Sequence, residues 1–319
     1  MRIGIMGCGS IAGHMAETIF GTEGIVLAAA AARDKHRAEE FAQKYGAEKH
    51  YGSYADLAAD ESVDAVYVAT IHPTHGDCIR LCLESGKAVL CEKPLAMSRE
   101  EAESLFRLAQ EKKVLLMEGI WTRYLPAWKE IKRLVEQGEI GTVCNMRADF
   151  SVNIPFDPDS RVYNLKKGGG ALLDVGVYSI HALLHILGTD YSQIKAAGRL
   201  SPTGSDSYAA VLLRYPDGRL GEATCGCDVD GTHMAHICGD KGRIDISEMF
   251  AASSFTLYKA GKEPQSFSFV HEGFRHELQE FMRLVESNSL AGNTVPPRDT
   301  ITAAGIMEEA IRQIKHREG

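Results

Sequence analysis

Three groups of residues in this sequence have the types and spacing to do chemistry. Lys93 follows the run Ala88-Val89-Leu90-Cys91-Glu92 and precedes Pro94, so it is directed and partly enclosed, where most lysines ride a helix surface. A lysine held in this way can hydrogen-bond a carbinol oxygen or lower the pKa of a neighbouring phenol by its charge. A snorkelling lysine at a strand end fits the same residues. In Gly168-Gly169-Gly170-Ala171-Leu172-Leu173-Asp174-Val175-Gly176-Val177-Tyr178, three glycines let a backbone or a ligand come close to an apolar helical stretch. Asp174 and Tyr178 are four apart, hence on one helical face, where both could meet one ligand. A core helix with a capping aspartate and a packed tyrosine reads equally well.

The third group is Gly7-Cys8-Gly9-Ser10-Ile11-Ala12, a G-x-G-x-x-A pattern directly after an apolar run and at the opening of a helical one. The first glycine suits a tight turn, the second lets backbone N–H groups approach a pyrophosphate, and a small third residue lets helix and strand pack closely. The end of the second apolar run selects the cofactor. It reads Ala30-Ala31-Ala32-Arg33-Asp34, and an arginine there accommodates the 2′-phosphate of NADP, whereas a carboxylate would bind the ribose hydroxyl of NAD. Asp34 comes one position late and suits the cap of the next helix. NADP is therefore expected, with NAD as the alternative.

These groups need elements to position them. Over the first 118 residues, β-type runs at 2–6, 25–31, 64–69, 88–91 and 114–117 alternate with helical patterns at 11–20, 35–45, 74–84 and 99–112. That alternation predicts a parallel sheet covered by helices, with ligands outside the carboxyl ends of its strands. Thr70 to His75 and Glu92-Lys93-Pro94 fall at two such ends. Beyond Glu118 the rhythm becomes one helix, 127–137, and then strands at 143–152, 194–200, 208–215, 221–228, 233–238, 243–246 and 254–258, a largely antiparallel sheet. Pro216-Asp217-Gly218 predicts a hairpin turn. Two late helices, 274–286 and 299–315, flank Pro296-Pro297, expected as a loop. The boundaries expected are 1–120 for a dinucleotide-binding domain and 121–319 for a domain that binds substrate and dimerises.

Composition narrows the function classes. A length of 319 residues fits two packed domains. A net charge of −8 disfavours a nucleic-acid partner, which needs a concentrated basic surface. No segment reads as a secretory leader or as the roughly 18 apolar residues of a membrane span, so a cytoplasmic protein is expected. The eight cysteines form no disulfide framework, and neither Cys225 with Cys227 nor His181 with His185 completes a metal site. His233 and His236 fall on opposite faces of a strand. No metal is expected.

Taken together, GCGSIA, CEKPLA and GGGALLDVGVY closely resemble the glucose-fructose oxidoreductase / inositol dehydrogenase / rhizopine catabolism (Gfo/Idh/MocA) family over essentially the whole chain. MEGIWTRYLPA at Met117 to Ala127 and the tyrosine at Tyr178 resemble its branch of dimeric dihydrodiol dehydrogenases and NADP-dependent D-xylose dehydrogenases. Tyr178 stands where inositol dehydrogenases carry histidine, which disfavours myo-inositol. The resemblance implies an α/β fold, a Rossmann domain followed by an α/β domain with an open, mostly antiparallel sheet whose outer face commonly forms a dimer or a dimer of dimers.

It also implies roles. Lys93, Tyr178 and Asp174 match the catalytic lysine, the catalytic tyrosine and the helix aspartate near the reacting carbon. Glu92 and Pro94 match residues that shape the nicotinamide site, and Thr70, Pro73 and His75 a segment lining the cofactor, alongside Gly7, Gly9, Ser10, Ile11, Ala12 and Arg33. Trp121, Arg123 and Phe150 match positions bordering cofactor or substrate. Ala32 replaces the small polar residue usual before the cofactor-selecting arginine, which weakens the NADP preference without reversing it.

The expected activity is hydride transfer between NADP and a secondary alcohol of a sugar, polyol or cyclic trans-diol, with Tyr178 moving the proton and Lys93 assisting. Two rivals share the motifs: a family member that recycles a tightly bound nucleotide while cleaving glycosides or coupling sugars, and a non-catalytic dinucleotide-binding sensor. The joint presence of Lys93, Asp174 and Tyr178 disfavours the sensor.

Overall fold

The apolar runs of the first part become a six-stranded parallel sheet. Its elements are β1 (Arg2–Met6), α1 (Ser10–Phe20), β2 (Val26–Ala31), α2 (Lys35–Tyr45), β3 (Lys49–Tyr51), α3 (Tyr54–Ala59), β4 (Ala65–Val68), α4 (His75–Glu84), β5 (Ala88–Glu92), α5 (Arg99–Lys112) and β6 (Leu116–Gly119). The strand order is β3-β2-β1-β4-β5-β6. Every residue of β4 and β5 is buried, as befits strands covered on both faces. The order reverses between β1 and β4, the switch point at which open α/β sheets bind ligands. Capping agrees with the expectation for α2: the Asp34 side chain accepts from His36 N–H at 2.9 Å, and Gly46 ends the helix in the left-handed region at φ 74°.

This computed structural model describes residues 1–316. The remaining elements are α6 (Pro126–Glu136), β7 (Val143–Ser151), α7 (Val177–Leu187), β8 (Gln193–Leu200), β9 (Asp206–Arg214), β10 (Leu220–Gly226), β11 (Ala235–Gly239), β12 (Gly242–Ile246), β13 (Ser254–Lys259), β14 (Gln265–Ser268), α8 (Arg275–Glu286) and α9 (Pro297–His316). Eight of the strands make a second sheet in the order β14-β13-β12-β11-β7-β10-β9-β8. All its pairs are antiparallel except β7 with β10. The β9–β10 hairpin turns at Gly218, φ 90°, closed by Tyr215 N–H donating to Arg219 O at 3.0 Å. The helical run Leu165–Leu187 is long and apolar enough to cross a membrane, which the sequence reading did not credit to any segment, but it is buried in its own unit as a core helix.

The chain divides into two units, Met1–Ala96 with Glu100–Gly119 and Phe274–Thr300, and Met97–Arg99 with Ile120–Gly273 and the chain from Ile301 on. The chain passes from the first unit to the second between Gly119 and Ile120, and Phe274–Thr300 belongs with the first unit instead of with the rest of 121–319. The reason is the apolar face of α8, which buries Leu278, Phe281, Met282 and Leu284. A Cβ placed on Gly24 would meet Met282 at 3.5 Å, and one on Gly21 would meet the Arg275 guanidinium at 2.8 Å. So α8 lies against the turn between α1 and β2. Two local expectations also change. Pro297 is the first residue of α9 and not part of a loop, because a first-turn residue has no intrahelical N–H bond to lose. His233 precedes β11 in the left-handed region, φ 55°, so it does not share a strand with His236.

Candidate active site

In the first unit the glycine loop is built to receive an anion. Gly7 has φ 95°, and a Cβ there would lie 2.5 Å from the Ala69 carbonyl oxygen, so the turn is confined to glycine. A Cβ on Gly9 would meet nothing within 4 Å; its bare backbone faces open space. Gly9 is the N-cap of α1, which has neither a side-chain cap bond nor an acidic residue in its first turn. The N–H groups there are available, and the helix dipole favours a phosphate. Ser10 is exposed, Ile11 half-buried, and Ala12 fully buried where α1 meets the sheet. These residues fit the pyrophosphate of a dinucleotide.

Past β2, Ala32 is buried and Arg33 exposed. A second arginine, overlooked in the sequence, joins it: Arg37 in the first turn of α2 donates to Cys8 O at 3.4 Å. Its signal was there in the i, i+4 spacing from Arg33. Burial pushes the Tyr54 phenol up and the charges of Arg33 and Arg37 pull it back, which places both cations near that ring. Burial also pushes the Cys8 thiol up to about 11, against Arg37, so Cys8 is a packed thiol in this loop.

The carboxyl ends of β4 and β5 are tied together by His75. Its ring is fully buried, with Nδ1 2.9 Å from Pro94 O and Nε2 3.0 Å from Thr70 O. Burial lowers its pKa, and the two carbonyls oppose that. A neutral ring donates to one carbonyl at a time. Pro73 stands exposed on the 3₁₀ turn His72–Thr74. Glu92 is buried and accepts from the Tyr67 hydroxyl, while Lys93 is half-buried and Pro94 buried. Gly7, Arg33, Thr70 and Lys93 thus lie at the carboxyl ends of β1, β2, β4 and β5, along one edge of the sheet.

In the second unit the glycine run serves the chain itself. A Cβ on Gly170, φ 143°, would lie 2.2 Å from Asp206 Oδ1, and one on Gly169 would lie 2.7 Å from Val162 O. The space goes to the Asp206 carboxylate, which accepts from Leu172 N–H at 2.6 Å and caps the helix that follows. That helix opens as a π segment, Leu172–Gly176, before α7. Its i→i+5 bonding is rare and concentrates at functional sites. Asp174 lies in the π segment, buried, and pairs with Arg161 at 2.6 Å. Arg161, exposed on the irregular 152–164 stretch, was not foreseen, because no periodicity marks that loop.

Tyr178 is half-buried, one residue into α7, and accepts from Trp121 Nε1 at 3.4 Å. Around it the rings gather. Phe150 meets Tyr178 edge-on at 5.5 Å between centroids and stacks on Phe250 at 4.3 Å; Trp121 lies 6.2 Å from Phe250 and 6.1 Å from His271; His233 lies 5.1 Å from Phe150. Phe250, His233 and His271 were not foreseen as site residues: Phe250 lies on the short 3₁₀ turn Met249–Ala251 and the two histidines outside the strands and helices, where spacing carries no signal. Arg123 is buried, its Nη1 donating to His181 O at 3.2 Å, a position that ties α7 to the 3₁₀ turn Trp121–Tyr124. The second unit therefore offers one phenol, one paired carboxylate and an apolar ring wall to a small hydroxylated molecule.

Comparison with known proteins agrees with both halves. A family model described as "Oxidoreductase family, NAD-binding Rossmann fold" matches residues 1–120, and the Gfo/Idh/MocA C-terminal domain matches residues 128–245. Trans-1,2-dihydrobenzene-1,2-diol dehydrogenase of Danio rerio is 38% identical over 299 residues, 90% of this chain and 88% of the relative. The Mus musculus enzyme of the same name is 36% identical over 296 residues, with the same coverage. Among solved structures, the 3-ketoreductase KijD10 from Actinomadura kijaniata, in complex with NADP and TDP-benzene, matches at 26% identity and TM-score 0.87, covering 99% of this chain and 97% of that one. Levoglucosan dehydrogenase in complex with NADH and levoglucosan shares the fold alone, with 18% identity, TM-score 0.89 and coverage of 100% and 98%. The chain belongs to the Gfo/Idh/MocA oxidoreductase family.

Proposed function

We propose that the protein is an NADP-preferring dehydrogenase or reductase acting on a secondary alcohol of a sugar, polyol or cyclic trans-diol. The observation that carries the reading is Tyr178: a half-buried phenol beside the Trp121 indole and the Phe150 ring, in the same helical run as a buried aspartate already paired with arginine. Relatives named for a dihydrodiol, and a wall of rings in place of polar side chains, favour a cyclic diol over an open-chain sugar.

The bound nicotinamide supplies the hydride acceptor or donor. Gly7, Gly9, Ser10, Ile11 and Ala12 hold its pyrophosphate, and Arg33 with Arg37 the adenosine 2′-phosphate; Thr70, Pro73, His75, Glu92 and Pro94 shape the nicotinamide end. Tyr178 moves the proton. As phenolate it takes the proton of the alcohol, and as phenol it returns it to the carbonyl oxygen in the reverse direction. A free phenol titrates near 10, so it needs a positive charge to work at neutral pH. Lys93 is assigned that charge and the developing oxyanion. Asp174, held by Arg161, orients the neighbouring hydroxyl, and Trp121 and Phe150 exclude water; Arg123 supports Trp121 through the turn they share.

Tyr178→Phe and Lys93→Met should each lower turnover by roughly 10²- to 10⁴-fold, the usual worth of positioned proton transfer, while NADP still binds. A screen of NADP and NAD against cyclic diols, aldoses and inositols gives the substrate, and undiminished turnover in either variant overturns the assignment. We further propose a homodimer, or a dimer of dimers, in the cytoplasm. The outer face of β9 and β10, where Leu212 and Leu220 are exposed, supports the first, and eight unpaired cysteines support a reducing compartment.

A further inference from the structure

Among the described residues, the first unit contains one carboxyl group that the reaction above does not use and that the fold leaves without a partner. Glu277, in the first turn of α8, is fully buried, and neither of its carboxyl oxygens has a hydrogen-bond partner. An unsatisfied buried polar group costs about 1–3 kcal/mol, and an ionised one far more. Selection for stability alone would replace it with an apolar residue of similar size.

Its surroundings are other acids. Glu118 on β6 is buried and well supplied, accepting from Leu95 N–H at 3.0 Å and from the Thr300 hydroxyl at 2.7 Å. Glu92, at the end of β5, is buried and accepts from the Tyr67 hydroxyl, with Lys93 as its adjacent cation. The other titratable groups that face the cluster are Tyr67, which senses Glu92 and Glu277, Cys91, which senses Glu92 and Glu118, and His75, which senses Glu118 and Lys93. On α8 itself Arg275 turns away to Gly21, and Arg283 pairs with Glu280 at 2.8 Å. Three buried carboxyl groups thus act on one another, with the Lys93 ammonium beside Glu92. Two of them have donors that stabilise the anion; Glu277 has none. By donor count Glu277 is the member that keeps its proton, and burial together with the charges of Glu92 and Glu118 pushes in the same direction.

We propose that Glu277 is a positioning residue for the reaction, a carboxylic acid stored in neutral form whose proton sets the charge that Glu92 and Glu118 present to Lys93. The proposal rests on the assignment of Lys93 given above. Ionisation of Glu277 would add a third negative charge to this cluster, hold the Lys93 ammonium more tightly and unsettle the end of β5.

Glu277→Gln tests it, because it keeps the shape and removes the titration. The unfolded chain releases the Glu277 proton near 4.5 while the folded protein retains it, so the native folding constant should fall relative to Glu277→Gln by roughly tenfold per pH unit above that value. Denaturant titrations of both proteins from pH 5 to 9 read this directly and need no activity. A constant difference across that range overturns the neutral acid. The second readout is the pH profile of turnover: its alkaline arm should move in Glu277→Gln, with the KM for NADP changing less than kcat. An unmoved profile would reduce Glu277 to a structural residue and overturn the proposal. Lys93→Met, assayed alongside, separates the two ideas, since turnover surviving in that variant sinks the role of Lys93 whatever the unfolding titrations show.

Discussion

The NADP preference proposed above is assigned to Arg33 and Arg37. Both are exposed, and only Arg37 has a fixed tie, to the Cys8 carbonyl. A charge-assisted bond to a phosphate is worth about 1.5–3 kcal/mol, so Arg33→Ala should raise the KM for NADP roughly 10- to 100-fold while leaving that for NAD nearly unchanged. Arg37→Ala should do the same more weakly, and parallel steady-state assays with the two cofactors check it. Equal losses with both would assign the arginines to the fold. Asp174 stands at the other extreme. It is paired with Arg161 at 2.6 Å, so what it presents is an ion pair and not a bare carboxylate.

At the scale of elements, the turn that precedes α7 is the most demanding. Burial raises Asp206 to about 6 although the Leu172 amide favours its anion. The folded protein therefore holds a proton that an unfolded aspartate gives up near 3.8. Its contribution is complete below that value and is lost as the pH climbs to about 6, on the order of 3 kcal/mol in all. Asp206→Asn keeps an acceptor for Leu172 and removes the titration, so its stability relative to the native protein should rise between pH 4 and 6.5 in urea unfolding. A flat difference would mean that Asp206 titrates as in the unfolded chain.

Elements with a period were legible in the sequence, and those without one were not. The strands and helices around the glycine loop lie within a few residues of where apolar alternation put them. By contrast β3 has only Lys49, His50 and Tyr51, polar and three residues long, and the short helix α3 has too few turns to show a face. The π segment looks in sequence like ordinary helix. The glycines before it read as room for a backbone or a ligand; Gly169 makes room for the backbone of Val162 and Asn164, and Gly170 for Asp206, thirty-odd residues away, which spacing cannot reveal. Phe250, on a three-residue 3₁₀ turn, and His271, on irregular chain, lie near Trp121 where no period marks them.

For the whole molecule, the proposed homodimer is assigned to the outer face of the eight-stranded sheet. Leu212 and Leu220 are exposed on neighbouring strands, with Glu222 opposite Leu212 and Arg214 opposite Leu220 in register. Charging that face, as Leu212→Asp with Leu220→Lys, should convert a dimer to monomer in sedimentation at micromolar concentration while leaving the folded content of circular dichroism intact. Unchanged sedimentation would place the association elsewhere.

The return of α8 to the first unit bears on how this protein can be handled and how its gene can be recombined. A clone ending near residue 120 would encode all six parallel strands and still lack Phe274–Thr300, which carries the apolar face set against the α1–β2 turn and the Thr300 hydroxyl bonded to Glu118. Such a fragment would be expressed with an uncovered surface and would aggregate. The first unit alone would have to be spliced from residues 1–119 and 274–300 through a new linker, and because the second unit also takes the chain from Ile301 on, its exchange between relatives needs junctions near 119/120, 273/274 and 300/301 instead of one.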